Sequence, residues 1–142
     1  MKKFYFSLVA LFFLISCSNI SILQKEVNIT PENLSEIMKE MVIKENHEIE
    51  SEDGLGFVTK WRQAHKEEDN HPDNTVEVRL EVSIVPEKLN SKLSIKIMKR
   101  SSLYSTDPSN VTYTDIMILQ NDKLYIMWND KIKKIEQEFK NK

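Results

Sequence analysis

One cysteine, two glycines and four prolines are all that 142 residues hold of the types that staple, loosen or break a chain. With Cys17 alone, no internal disulfide can form. So few glycines and prolines argue against a low-complexity segment and for regular secondary structure. Charge of one sign is also missing: 20 Lys and Arg face 22 Asp and Glu. That balance gives no electrostatic reason to expect nucleic acid or anionic lipid as a partner. The longest apolar run falls short of the roughly 20 residues that cross a bilayer. Gly-x-Ser-x-Gly, P-loop and dinucleotide motifs do not occur. Gly54-Leu55-Gly56 lacks the third glycine and the following helix that phosphate binding needs. No internal repeat is visible.

What is there begins at the amino end. Met1-Lys2-Lys3 is a short positive segment, followed by an apolar run from Phe4 to Ile15 broken only by Tyr5 and Ser7. A run of that length fits the core of a secretory signal peptide. It leads into Leu14-Ile15-Ser16-Cys17. This tetrapeptide resembles the lipobox of bacterial lipoproteins, a resemblance confined to the first seventeen residues. It implies cleavage before Cys17, a diacylglyceryl group on the thiol and acylation of the new amine. Two or more acyl chains hold a protein stably on a membrane, at about 0.8 kcal/mol for each buried methylene. Ser16-Cys17-Ser18 is also a small-x-small site, where ordinary signal peptidase would cut before Asn19 and release a soluble domain.

The anchored reading divides the chain into a signal peptide (1–16), a lipidated N-terminus and tether (17–29) and one domain (30–142); Ile20, Ile22, Leu23, Val27 and Ile29 make the tether apolar enough for part of it to dock on the domain. Removing residues 1–16 from a chain of 142 leaves 126, and losing Lys2 and Lys3 moves the net charge from −2 to −4. A chain of this size suits a single core.

Thr30-Pro31-Glu32 reads as a helix start: a capping hydroxyl, a proline at the first helical position and an acid at the positive end of the dipole. Leu34, Ile37, Met38, Met41 and Val42 then form one apolar stripe at helical spacing, which fades near Asn46. Glu48–Asp53 is acidic and reads as a loop, Leu55–Arg62 as a short strand, and Ala64–Asn74 as an exposed polar loop. Val76, Val78, Leu80, Val82 and Ile84 alternate with Glu77, Arg79, Glu81 and Ser83, the pattern of a strand with one buried face. Lys92–Arg100 alternates likewise and completes a hairpin whose polar face can pair Glu with Lys. Val111–Gln120 and Lys123–Trp128 read as a second hairpin about an Asn121-Asp122 turn. Ile132, Ile135 and Phe139 suggest a short C-terminal helix, with a final strand as the alternative. The expected fold is α+β, one amphipathic helix on a four- to five-stranded antiparallel sheet. Cystatin-like and similar small folds share that outline, an analogy that carries no function.

Candidates for chemistry are few. His65 and His71, with Glu67, Glu68, Asp69 and Asp73, could in principle hold a divalent metal, but their spacing matches no zinc pattern. A solvated charged loop is the simpler account. His47 follows the helix beside Glu45 and Glu48 and reads as a surface residue. Trp61, Tyr125 and Trp128 are aromatic anchors that either complete the core or form a partner surface. No catalytic residue, metal or cofactor is expected. The function that follows is a membrane-anchored envelope lipoprotein, a non-catalytic protein-binding or assembly module facing the periplasm or exterior. The membrane, through lipid on Cys17, and an envelope protein are its expected partners, with no nucleic acid. A small-ligand module with a pocket between helix and sheet is the alternative, and a metal-dependent enzyme using His65 and His71 ranks below both.

Overall fold

The computed structural model describes residues 21–69, 75–104 and 109–140. Cys17 and His71 lie outside them. Among the described residues, seven strands and two helices run β1 (Ser21–Val27), α1 (Pro31–Lys44), β2 (Ile49–Asp53), β3 (Gly56–Thr59), β4 (Arg62–Gln63), β5 (Val76–Pro86), β6 (Ser91–Tyr104), β7 (Val111–Ile116) and α2 (Lys123–Lys140). The chain is α+β, with one antiparallel sheet.

The β5–β6 hairpin is the spine, paired in unbroken register from Val76 with Ser101 to Pro86 with Ser91. Both strands are long enough to take two short neighbours each. β1 and β7 share the free flank of β6, while β3 and β4 share that of β5, with β2 outside β3. Seven segments thus fill five positions across the sheet. Polar residues on the outer face meet in register, as Glu81 with Lys96 at 3.4 Å and Glu77 with Arg100 at 2.7 Å.

Helix α1 begins as its sequence indicates, with Pro31 in the first turn, although Thr30 makes no side-chain cap. Its end is a Schellman turn. Asn46 takes a left-handed φ of 60° while its N–H donates to Ile43 and that of His47 donates to Val42, both at 2.9 Å. Leu34, Met38 and Val42 face Val78, Leu80, Val82, Leu93, Ile95 and Ile97 across the core. From α2, Leu124, Trp128, Ile132 and Ile135 close the same layer.

Several segments depart from the sequence reading. Within the segment read as tether, Ser21–Val27 docks as an edge strand, because Leu23 and Val27 bury against β6 while Ile22, Gln24 and Glu26 remain exposed. Glu48–Asp53 is largely strand, since its backbone pairs with β3 whatever its side chains. Leu55–Arg62 divides at Lys60-Trp61 into β3 and β4. The largest change is at Lys123–Trp128, which is the start of an 18-residue helix and not a strand. Asp122 is its cap, an Oδ1 atom accepting the Leu124 N–H at 2.9 Å. The Asn121-Asp122 pair therefore opens a helix instead of turning a hairpin.

Candidate functional site

Two polar arrangements stand out, one inside the domain and one on its outer sheet face. The inner one starts with His47. The Schellman turn carries its ring into the interior, where the residue is 2% exposed. Nη2 of Arg62, from β4, lies 2.9 Å from Nε2. Thr59 Oγ1 lies 3.4 Å from Nδ1 and accepts the Leu80 N–H at 3.0 Å. Arg62 also forks onto Glu68, at 2.8 Å and 2.6 Å. Glu68 sits in the turn after His65 and accepts the His65 N–H at 2.9 Å. Its carbonyl takes a hydrogen bond from Lys99 Nζ at 3.0 Å, and Lys99 reaches both Asp122 oxygens at 2.8 Å. Side-chain contacts thus run from the end of α1, through β4 and the His65–Glu68 turn, to β6 and the start of α2.

The electrostatics follow from burial and this wiring. Burial drives the His47 pKa down to about 4, helped by the Arg62 charge and only partly opposed by Glu68. Its place beyond a helix C-terminus would by itself favour the imidazolium, but desolvation and Arg62 prevail. For Glu68, burial pushes the carboxyl up, yet hydrogen bonds from Arg62 and the His65 backbone outweigh it and hold the group below its ordinary range. The Arg62–Glu68 pair shows 12% and 2% side-chain exposure, and of the Arg62 nitrogens Nε is buried without an acceptor among the described residues. Such a cluster ties elements together and presents no nucleophile to solvent.

The outer arrangement is a stack across the sheet face that neither helix covers. The Arg100 guanidinium lies 4.1 Å from the Trp61 ring centre and 3.7 Å from that of Tyr113. Arg79 approaches Trp61 at 5.9 Å, bonds the Thr59 carbonyl at 3.0 Å and pairs with Glu50. Glu77 holds Arg100 from the side. The Tyr113 side of this stack is open to solvent.

The residues proposed from sequence are scattered. Trp128 is fully buried in the core, its ring 6.3 Å from that of His47, so it cannot line a partner surface. Tyr125 packs half-buried at the core edge, while Trp61 lies on the opposite face of the sheet. His65 is exposed and contributes its backbone N–H to Glu68, its Nε2 lying 3.5 Å from Asn46. The His65–Asp69 loop is not wholly solvated, because Glu68 is inside. Nor is His47 a surface residue, since the helix ending turns it inward. Among the described residues, no three of His, Cys, Asp and Glu gather as a metal site. No helix there is long and apolar enough to cross a membrane. A cleft of about 420 Å³ beside the β2–β3 hairpin and a larger open one at Pro86–Asn90 both lie at hairpins, and neither is lined by a helix residue.

No family model matches the chain, and no curated protein matches it.

Proposed function

We propose that this chain is an exported lipoprotein whose α+β domain serves at the cell envelope as a non-catalytic protein-binding or assembly module. The observation that carries the reading is Leu14-Ile15-Ser16-Cys17 at the end of a short apolar run behind two lysines. Two features of the domain support it. Its buried charged groups are spent on each other, in keeping with a structural role. Its outer face offers Trp61, Arg100 and Tyr113 in one stack, residue types that concentrate binding energy at protein interfaces.

Metabolic labelling with a fatty-acid analogue tests the anchor: wild type incorporates label and Cys17→Ser does not. A photocrosslinking residue at position 113 tests the surface, the expected result being one discrete adduct in the envelope that disappears with Arg100→Ala. Unlabelled wild type, with a mature terminus at Asn19, would remove the anchor; no adduct at position 113 would remove the surface.

A further inference from the structure

Strand β1 begins at Ser21, and only residues 18–20 separate it from Cys17. On the anchored reading, which this inference rests on, that leaves almost no tether. Four residue steps reach at most about 14 Å even when fully extended. The lipid therefore dictates which part of the domain meets the bilayer.

That part can be located from the register. β1 and β7 lie on the same flank of β6, end toward end: Ser21 pairs with Ile97 and Ile116 with Lys99. Two residues along β6 separate those positions, about 7 Å. The chain leaves β7 there and crosses to α2, whose capping Asp122 is held by that same Lys99. The start of β1, the end of β7 and the first turn of α2 therefore meet at one corner. Large apolar side chains are exposed around it: Ile22 at 51%, Met117 at 52%, Leu119 at 56% and Ile126 at 45%. Ile118, between two of them, is buried and fixes the segment to the core.

We propose that this corner rests on the membrane, with Met117, Leu119 and Ile126 entering the interfacial layer and Ile22 at its edge. The occupant is a lipid surface because the anchor brings one within reach and the exposed side chains match it. The attraction is apolar, so neutral lipid suffices. The domain then stands with its outer face roughly along the membrane normal, leaving the Trp61–Arg100–Tyr113 stack free to meet a partner.

The test uses the full acylated protein reconstituted in phosphatidylcholine vesicles, with an environment-sensitive fluorophore on Leu119→Cys, Ile126→Cys or Leu89→Cys. Leu89 is 89% exposed at the β5–β6 turn and serves as the reference away from the corner. Brominated lipid should quench the labels at 119 and 126 about threefold more than the label at 89, as expected for insertion of roughly 5–10 Å. Mass spectrometry of the same samples reports acylation of Cys17. Acylated protein whose labels at 119 and 126 stay as open to water-soluble quencher as that at 89 overturns the orientation alone. Labels shielded from both quenchers indicate a protein covering the corner, and also overturn it. An unacylated Cys17 overturns the anchor and the orientation together.

Discussion

Nη2 of Arg62 lies 2.9 Å from Nε2 of His47, and that contact decides which imidazole nitrogen carries the proton. A guanidinium can only donate, so Nε2 accepts. The proton of the neutral ring is then on Nδ1, donating to Thr59 Oγ1. Protonating Nε2 would set two donors against each other.

A pH dependence follows. The unfolded imidazole titrates near 6.5 and the folded one near 4, so the unfolded chain binds more protons between those values. The stabilisation is complete above pH 6.5 and is lost as pH falls toward 4, by about 3 kcal/mol. Urea denaturation from pH 7.5 to 4 should show the decline, and His47→Gln should flatten it. Nitrogen NMR at pH 7 should find His47 neutral with Nδ1 protonated; a folded His47 titrating at 6.5 would contradict the wiring.

Glu68→Ala leaves the Arg62 guanidinium buried without its carboxylate. The expected loss is about 3–5 kcal/mol, whereas replacing both partners with Arg62→Met and Glu68→Leu should recover most of it. Denaturant midpoints of the single and the double variant decide the matter. A single variant as stable as wild type would mean that water reaches the pair.

Trp128 fills the centre of the domain, yet its indole N–H finds no hydrogen-bond acceptor among the described residues. Trp128→Ala should cost about 3–5 kcal/mol through the cavity it leaves. Trp128→Phe should cost far less, because it keeps a ring and removes an unmatched donor. Thermal unfolding of both variants gives the comparison, and equal losses would show that the N–H is satisfied.

The two glycines make opposite demands. Gly54 has a φ of 59° with open space where a Cβ would stand, while at Gly56 a Cβ would fall 2.7 Å from the Val82 carbonyl oxygen. Gly54→Ala should cost about 1 kcal/mol for its backbone conformation. Gly56→Ala should cost about 2–3 kcal/mol, because β3 must move from β5. Reversed melting temperatures would place the strain at the turn instead.

Much of the fold is legible in the chain because alternation over β5 and helical spacing over α1 each extend far enough to define a period. Lys123–Trp128 is too short for that. Leu124, Ile126 and Trp128 satisfy a period of two, while Leu124 and Trp128 also sit four apart. Only continuing to Ile132 and Ile135 shows one helix. The inner cluster was hidden for another reason: Arg62, Glu68 and Lys99 are residues that normally face water. One signal was present. Lys99 continues the inward series Leu93, Ile95, Ile97, so its register places a charge in the core. Nothing in sequence pairs it with Asp122, and nothing foretells the turn that carries His47 inward. The outer stack joins positions 61, 100 and 113, which only the sheet's pairing order brings side by side.

The pairing of β1 also sets a schedule. Val27 meets Ser91 and Ser21 meets Ile97, partners made roughly 64 to 76 residues later, whereas the β5–β6 hairpin closes on itself at once. When the chain emerges amino end first, its leading segment has no sheet to join until most of the domain has followed. Pulse-labelled amides in β1 should accordingly gain protection last during refolding. On the anchored reading proposed above, processing at Cys17 takes place while the strand that follows it still waits for its place.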